Sequence, residues 1–276
     1  MQAMPGYAPS AHTMRLESKV ILITGSATGI GRAIAKRCAA EGARVIIHGL
    51  EAELGAAVVA ELGADRALLQ IEDITGPGAP QRLVDLAVQT FGRLDAVVNN
   101  AAMVRPGNIH DTDAAFFMKM LEVNTLAPFL LIQAALPHLT VARGCVLNIG
   151  SVNAYSGEPN LLPYSISKGA LMTLTRNLGD TLMRENQVRV NQINPGWVLT
   201  ENEARRKREC GLREDWYADL PKVFAPAGRI LWPEEIAAAA VYWLADESGP
   251  VSGQVVDLEQ HPFIGRNPPK DTTTIR

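Results

Sequence analysis

The chain has 276 residues, of which 47% are hydrophobic and 20% charged, and 26 basic against 29 acidic residues give a formal charge of −3. This balance provides neither a basic surface for nucleic acid nor an acidic tail, so small neutral or weakly charged partners fit best. The length and composition favour a globular protein with one domain built around one core.

The first residues and the cysteines indicate the compartment. Residues 1–14 lack both a basic segment and an apolar core, so they predict a disordered extension and not a signal peptide, with Met14 as an alternative start. Three scattered cysteines without metal-ligand spacing indicate reduced thiols, a cytoplasmic location and no metal site. No apolar run is expected to reach the ~18 residues that span a bilayer.

A glycine-rich turn follows the first predicted strand. Residues 19–24 (K-V-I-L-I-T) form an apolar run typical of a strand buried on both faces, and T-G-S-A-T-G-I-G overlaps its end. A helical pattern over residues 32–41 comes next. Strand, glycine turn and helix N-terminus together can bind a pyrophosphate, because glycines let the backbone approach and helix N–H groups face the anion. The spacing G-x-x-x-G-x-G also permits a plain turn.

The end of the second predicted strand bears on the choice of dinucleotide. An acidic residue there binds the 2′-hydroxyl of the adenosine ribose, whereas a basic one accepts a 2′-phosphate. Leu50 gives neither signal, although Glu51 is near, and Thr28 in the glycine turn adds no positive charge. The sequence therefore favours NAD over NADP. Arg32 or Arg44 would reverse this preference if either reached the ribose.

Strand and helix patterns continue to alternate, which predicts an α/β fold with a doubly wound, mostly parallel sheet in one domain over residues 15–260. The predicted strands are residues 19–24, 44–48, 66–71, 94–98, 144–149 and 187–193, with a last strand near the C-terminus. The predicted helices are residues 32–41, 51–62, 80–91, 163–185 and 236–244, with another that is capped by Asp111 or Asp113 and ends near Pro137.

Polar and small residues stand directly after several strands, where ligand sites of such sheets lie. Asp73 either forms a turn or bonds the adenine amine. Asn100 and Ala101 either form a turn or let the backbone approach a ribose. Ser151 follows the fifth strand, and Gly196 follows the sixth. In the loop after Ser151, Asn153 is a candidate for substrate contact or a turn former.

Asn124 lies inside the apolar segment L-E-V-N-T-L-A-P-F. An unpaired buried amide would cost about 1 to 3 kcal/mol, so Asn124 either ties two elements together or serves a site. Pro128 removes the backbone N–H that would bond the Asn124 carbonyl oxygen, so a kink is expected there.

Tyr164 and Lys168, in Y-S-I-S-K, are four residues apart and share one helix face. A free phenol has a pKa of about 10, which makes it a poor proton carrier near neutral pH. At about 4 Å and an effective dielectric near 20, one positive charge is worth about 4 kcal/mol, or about three pKa units. Lys168 is therefore expected to bring the pKa of Tyr164 close to working pH, although an isolated Y-x-x-x-K is also typical of a solvated pair.

The alternation breaks over residues 200–230. A charged cluster at residues 201–209 is followed by Trp216, Tyr217, Leu220 and Phe224. This pattern predicts a helical lid with its aromatic side chains facing the pocket and its charges solvated. The alternative is a charged surface helix packed by those aromatic residues.

Over about residues 19–258, the chain resembles the short-chain dehydrogenase/reductase family, in its shorter single-domain branch. The resemblance rests on T-G-S-A-T-G-I-G, Asp73, N-N-A-A, Asn124, Ser151, Y-S-I-S-K and V-N-Q-I-N-P-G-W-V-L-T. It implies hydride transfer between a nicotinamide and a hydroxyl or carbonyl carbon. It departs from the family pattern where Ala102 replaces a glycine and where Glu259 and Gln260 replace a pair of glycines.

The resemblance also implies roles for single residues. Tyr164 is the expected acid/base, Lys168 lowers its pKa and holds the nicotinamide ribose, Ser151 positions the substrate oxygen, and Asn124 supports a water-linked proton relay. The substrate contacts expected are Ser151, Asn153, Tyr164 and Trp197. The cofactor contacts expected are Gly25, Thr28, Gly29, Ile30, Gly31, Leu50, Asp73, Ile74, Asn100, Ala101, Tyr164, Lys168, Pro195, Gly196, Val198 and Thr200.

The sequence thus predicts an NAD(P)-dependent oxidoreductase that acts on a secondary alcohol or carbonyl of a sugar, polyol or hydroxy acid. One alternative is an NADPH-dependent 3-oxoacyl reductase, which the missing basic residues disfavour. Another is a catalytically silent NAD(P)-binding regulator, against which the complete catalytic set speaks. A homotetramer or dimer is expected through the two long helices, with the tail at residues 261–276 crossing onto a neighbouring subunit.

Overall fold

The computed structural model describes residues 14–155, 157–218, 220–223 and 225–262. Most of the predicted N-terminal extension, residues 1–13, lies outside the described residues. So do residues 263–276 of the predicted tail and Phe224 of the predicted lid.

Among the described residues, seven strands form one sheet: β1 (Val20–Ile23), β2 (Arg44–Gly49), β3 (Ala67–Ile71), β4 (Ala96–Asn99), β5 (Cys145–Ile149), β6 (Arg189–Pro195) and β7 (Val255–Leu258). Their order across the sheet is β3-β2-β1-β4-β5-β6-β7, and every neighbouring pair is parallel. The strand order reverses between β1 and β4. In open α/β sheets, ligands bind outside the carboxyl ends of the strands at such a reversal.

The α-helices of the described residues are α1 (Gly29–Ala40), α2 (Ala52–Leu62), α3 (Ala79–Phe91), α4 (Ala114–Leu121), α5 (Ala127–Ala142), α6 (Leu162–Asn186), α7 (Glu201–Glu209) and α8 (Pro233–Leu244). Helices pack on both faces of the sheet. Ile34 of α1 and Val241 of α8 belong to the core on one face. Leu83 of α3, Leu131 of α5 and Leu182 of α6 belong to the core on the other. The doubly wound α/β fold is confirmed.

The burial of β1 explains its uninterrupted apolar sequence. Its four side chains are fully buried, with Val20 and Leu22 in one core and Ile21 and Ile23 in the other. A strand with helices on both faces has no polar side, so the alternation seen in half-exposed strands disappears.

The segment around Asn124 is irregular, as Pro128 predicts. A π-helical turn, Glu122–Leu126, joins α4 to α5, and the Ala127 N–H bonds the carbonyl oxygen of Glu122. Asp113 caps α4, because its carboxylate accepts a 2.7 Å hydrogen bond from the Phe116 N–H. The prediction that this helix ends near Pro137 was wrong, since α5 continues to Ala142 with Pro137 inside it. Pro137 and Gln133, whose carbonyl oxygen the missing N–H would have bonded, are both exposed residues, where a proline inside a helix is tolerated.

Joined end to end, α4, the π-helical turn and α5 are long and apolar enough to cross a membrane, by length and composition only. The expectation that no run reaches this size was wrong, because residues 123–142 contain no Asp, Glu, Lys or Arg. Leu131, Ile132 and Leu139 of this segment pack into the core of the α/β fold. That position is typical of a core helix.

Candidate active site

Tyr164 and Lys168 lie one turn apart on α6, and both are buried, with 9% and 3% of their surfaces exposed. The Lys168 Nζ atom is 5.9 Å from the centre of the Tyr164 ring. It donates a 2.8 Å hydrogen bond to the carbonyl oxygen of Ile149, the last residue of β5. Helix α6 therefore presents both groups at the carboxyl end of a central strand, where the fold places ligands.

Ser151 lies two residues beyond β5 and is fixed from both sides. Its N–H donates to the Asn194 Oδ1 atom at 3.1 Å, and its hydroxyl oxygen accepts from the Asn153 N–H at 3.2 Å. The Ser151 hydroxyl also interacts with the Tyr164 side chain and lowers its pKa. A hydroxyl and a phenol thus converge on one point, which is the arrangement needed to hold and deprotonate an alcohol.

The pKa of Tyr164 shifts in the opposite direction from the one expected from the sequence. Burial and, to a smaller extent, the Glu158 carboxylate raise the pKa of Tyr164, and together they outweigh the lowering by Ser151 and Arg206. Burial lowers the pKa of Lys168 to about 8. The expected fall of about three units in the Tyr164 pKa is therefore not found, because desolvation acts on the phenolate and on the ammonium alike and disfavours both charges.

Asn124, which is 1% exposed, ties elements together. Its side-chain oxygen accepts from the Met103 N–H at 2.7 Å, and its Nδ2 atom donates to the Met103 carbonyl oxygen and to the Ser167 Oγ atom, each at 2.9 Å. Ser167 in turn donates a 2.6 Å hydrogen bond to the Tyr164 carbonyl oxygen. Asn124 therefore positions the catalytic turn of α6, and its part in a water-linked relay stays a prediction.

The glycine turn is shaped by close contact with the segment after β4. Gly25 has a φ of 62°, and a Cβ atom there would lie 2.8 Å from the Ala101 Cα atom. A Cβ atom on Gly31 would collide with the Gly25 carbonyl oxygen and the Asn100 amide. Asn100 Nδ2 donates to the Thr24 and Gly25 carbonyl oxygens at 2.9 and 2.8 Å. Only glycine fits these positions, which explains the spacing.

Helix α1 begins at Gly29, so the last two glycines of the turn form its first turn. Thr28 is the N-cap residue but makes no side-chain capping bond. The Gly29 N–H instead donates a 3.2 Å hydrogen bond to the carboxylate of Glu201, which also pairs with Arg32. The start of α1 thus holds an anionic group, as expected of a phosphate-binding helix end.

The segment after β6 is held by the end of β7. The Glu259 carboxylate accepts a 3.0 Å hydrogen bond from the Trp197 N–H and packs against Gly196. Gln260 Nε2 donates to the Arg229 carbonyl oxygen at 2.6 Å. Glu259 and Gln260, which stand where the family has a pair of glycines, therefore tie the segments around Trp197 and Arg229 to the end of β7.

Comparison with known proteins identifies the family. Residues 25–259 match a family model described as enoyl-(acyl carrier protein) reductase. The L-fucose dehydrogenase of Bos taurus is 36% identical over 246 residues, covering 85% of this chain and 85% of that protein. The chain belongs to the short-chain dehydrogenase/reductase family.

Other members of the short-chain dehydrogenase/reductase family differ in the substrates their names state. The 2-(S)-hydroxypropyl-CoM dehydrogenase 3 of Xanthobacter autotrophicus is 34% identical over 250 residues, covering 87% of this chain and 94% of that protein. The 3-oxoacyl-[acyl-carrier-protein] reductase of Thermotoga maritima is 31% identical over 252 residues, covering 89% and 98%. This chain is accordingly an oxidoreductase that acts on CH–OH groups with a nicotinamide cofactor.

The residues at the glycine turn fit the family's dinucleotide. The backbone N–H of Gly29 already satisfies an anion, and the glycines leave no side chain between the turn and a ligand. Gly25, Thr28, Gly29, Ile30 and Gly31 would hold the pyrophosphate. Among the described residues, no cluster of three or more His, Cys, Asp or Glu side chains that could hold a metal is present.

Leu50, Glu51 and Asp73, the residues predicted to meet the adenosine, lie around the end of β2. Leu50 is 66% exposed, and the Glu51 carboxylate folds back to accept a 3.3 Å hydrogen bond from the Leu50 N–H. The Asp73 carboxylate accepts hydrogen bonds from the N–H and hydroxyl of Thr75, at 2.9 and 2.8 Å, so it forms a turn. Ile74 is buried. Contacts of these residues with adenine and ribose stay predictions.

Trp197 lies at the junction between the predicted nicotinamide segment and the lid. Its ring stacks on Trp216 at 5.2 Å between ring centres, and the Lys207 ammonium lies 5.0 Å from its centre. Its indole N–H donates to the Glu203 carboxylate at 2.9 Å. The aromatic residues of the predicted lid thus pack on one another around Trp197, while α7 has no buried residue.

Asn153 borders a cleft of about 380 Å³ that Ser165 and Ile166 of α6 also line. Tyr164 and Lys168 are not among the residues that line this cleft. Val198 and Leu231 form an isolated parallel β-bridge. The Thr200 hydroxyl caps α7, because its oxygen accepts a 3.1 Å hydrogen bond from the Glu203 N–H. Their contacts with a cofactor or substrate stay predictions.

His48 supports the glycine turn, and the sequence analysis did not identify it. Its Nδ1 atom accepts a 3.3 Å hydrogen bond from the Gly25 N–H, and its backbone carbonyl oxygen accepts from the Ser26 N–H at 2.7 Å. Burial lowers the pKa of His48, which keeps its ring neutral and able to accept. The available signal for this role was a histidine directly after the apolar residues of the strand R-V-I-I-H.

A buried chain of polar side chains behind Ser151 was also missed. Hydrogen bonds of 2.7 to 2.8 Å run from Asn148 through Thr175 and Gln192 to Asn194, which accepts the Ser151 N–H. The signal was the polar residues in the buried strands C-V-L-N-I and R-V-N-Q-I-N-P. Such a network fixes the position of Ser151, because each buried amide must keep its partners.

Proposed function

We propose that the protein is an NAD-dependent dehydrogenase that oxidises a secondary alcohol of a small polar substrate, such as a sugar, polyol or hydroxy acid. The observation that carries the proposal is the convergence of Ser151, Tyr164 and Lys168 at the carboxyl end of β5. The name of a similar protein, L-fucose dehydrogenase, supports a sugar among these classes.

The residues divide the proton chemistry among them. Tyr164 in its phenolate form accepts the proton of the substrate hydroxyl. The carbon that bears this hydroxyl loses a hydride and becomes a carbonyl carbon. The oxidised nicotinamide, when bound, is the acceptor of that hydride. Ser151 donates a hydrogen bond to the substrate oxygen, and the Lys168 ammonium, 5.9 Å from the centre of the Tyr164 ring, supplies positive charge beside the phenolate. In the reverse direction, Tyr164 returns the proton to the carbonyl oxygen.

The charges near the adenosine end support NAD over NADP. The Glu51 carboxylate lies over Gly49, 3.3 Å from where a Cβ atom of that glycine would be. Arg44 is at the opposite end of β2, with its guanidinium 5.0 Å from the centre of the Phe91 ring. A 2′-phosphate would therefore meet a carboxylate, while Arg44 lies at the wrong end of the strand to pair with it.

Exposed apolar side chains on the long helices support a homo-oligomer. Met118, Leu126, Phe129 and Leu130 on the α4–α5 segment and Ile166 on α6 are each at least 37% exposed. A second copy of the chain that packs on these helices would cover them, as symmetric oligomers do.

The free cysteines Cys38, Cys145 and Cys210 support the cytoplasmic location.

The test is the reduction of NAD and of NADP, in parallel, over a panel of sugars, polyols, hydroxy acids and secondary alcohols. The proposal expects turnover with NAD and at least one polar alcohol. The assay also follows the reduction of 3-oxoacyl thioesters by NADPH. If this were the only reaction observed, the protein would be a 3-oxoacyl reductase and the proposal would be wrong. Binding of NAD without turnover of any compound would favour a regulator.

A further inference from the structure

A carboxylate of the chain itself occupies the start of α1. The Glu201 Oε2 atom accepts a 3.2 Å hydrogen bond from the Gly29 N–H, and its Oε1 atom pairs with the Arg32 guanidinium. These contacts join residues 172 and 169 positions apart in the chain, so they depend on the fold and not on local sequence. The first turn of α1 has no acidic residue, and the Thr28 side chain does not cap it. Glu201 therefore supplies the anion that this helix end attracts.

The donors that hold Glu201 are those that a phosphate uses. A helix N–H and an arginine guanidinium together bind phosphate oxygens as readily as carboxylate oxygens. The dinucleotide's pyrophosphate is expected at this same turn, so the two anions compete for the Gly29 N–H. Burial raises the pKa of Glu201, but its own backbone N–H, Arg32 and the Gly29 N–H together lower it by more. The pKa of Glu201 therefore falls below its usual range. The competitor is therefore charged at neutral pH.

We propose that Glu201 is an internal competitor of the cofactor's pyrophosphate, and that cofactor binding displaces its carboxylate and frees Arg32 to pair with a phosphate oxygen. This inference rests on the dinucleotide site of the proposed function. It adds Arg32 to the residues that bind the cofactor, and it gives the start of the lid a role in setting cofactor affinity.

The displacement acts directly on the lid. Glu201 is the first residue of α7, and the hydroxyl of Thr200 before it caps that helix. The Thr200 side chain also touches the glycine turn, since a Cβ atom on Gly29 would lie 3.3 Å from its Cγ2 atom. The same short segment thus closes α1, begins α7 and contributes a predicted nicotinamide contact. Release of Glu201 from Gly29 therefore couples cofactor binding to the position of α7.

The experiment compares Glu201→Gln with Glu209→Gln by calorimetry with NAD, and with NADP in parallel. Glu209 lies on the same helix and is exposed, so its variant removes the same charge away from the glycine turn. Glu201→Gln is expected to bind NAD about three- to tenfold more tightly than the wild type, whereas Glu209→Gln should bind as the wild type does. Inorganic pyrophosphate, used as a probe of the turn alone, should show the same order.

Arg32→Gln tests the second half of the inference. It should weaken NAD binding more in the Glu201→Gln background, where Arg32 is already free, than in the wild type, where its release from Glu201 offsets part of the gain. Equal or weaker NAD binding by Glu201→Gln would overturn the inference and leave the Arg32 pair as a structural latch. If neither the wild type nor any variant bound NAD or NADP, the proposed function would fail instead.

Discussion

The Lys168 ammonium donates a 2.8 Å hydrogen bond to the main-chain carbonyl oxygen of Ile149, the last residue of β5. A charged group that is 3% exposed is thereby anchored to the sheet and kept beside Tyr164. Its burial lowers the pKa of Lys168 to about 8, below the ordinary value of 10.5. The site therefore keeps a cation at a position where the fold makes its charge costly.

This burial predicts a pH dependence of stability. Between pH 8 and about 10.5, Lys168 is largely neutral in the folded chain but still protonated in the unfolded one, so the unfolded state binds more protons. The free energy of unfolding of the wild type should therefore rise, relative to Lys168→Met, as the pH increases through this window. Urea unfolding of both proteins at pH 7.5 and about 9.5 would measure it. A constant difference between them would contradict the assigned shift.

Asn124→Ala should destabilise the protein. The change leaves the N–H and carbonyl of Met103 and the hydroxyl of Ser167 without the partner that the amide provides. We expect a loss of about 1 to 3 kcal/mol in the free energy of unfolding, with reduced turnover because Ser167 bonds the Tyr164 carbonyl oxygen. Asn202→Ala, on the exposed surface of α7, is the matched control. Equal unfolding free energies for the two variants would show that Asn124 does not tie these elements.

Glu51→Gln should reduce the ratio of NAD affinity to NADP affinity. The Glu51 carboxylate folds over Gly49 at the end of β2, where it would repel a 2′-phosphate. Removing one exposed charge should strengthen NADP binding about three- to tenfold, with a smaller effect on NAD. Calorimetric titration with both dinucleotides measures the ratio, and Glu53→Gln on the exposed first turn of α2 is the control. A ratio that stays at the wild-type value would remove Glu51 from cofactor selection.

The strands and helices could be predicted because their signals are local. The apolar runs of β1, β2 and β5 and the periodic pattern of α6 placed each element within about two residues of its observed bounds. The predicted catalytic pair could be placed together for the same reason, since a spacing of four residues on one helix puts Tyr164 and Lys168 on one face. The end of α5 was misplaced because the tolerance of Pro137 depends on its exposure, which the sequence does not state.

The contacts that complete the site could not be predicted, because they join distant segments. His48 holds Gly25 across two strands, and Glu201 meets Gly29 across most of the fold. The direction of the Tyr164 pKa also escaped prediction. A distance between two charges can be guessed from helix geometry, but the desolvation of each depends on everything packed around it.

The most direct test of the account compares Tyr164→Phe with the wild type in two measurements on the same protein, NAD affinity by calorimetry and turnover of the substrate found in the panel. The variant removes the phenolic oxygen and keeps the ring that packs against Met120. The account predicts NAD affinity within about threefold of the wild type and a fall in turnover of about 10²-fold or more. Unchanged turnover would contradict the assignment of Tyr164 as the group that takes the proton from the alcohol.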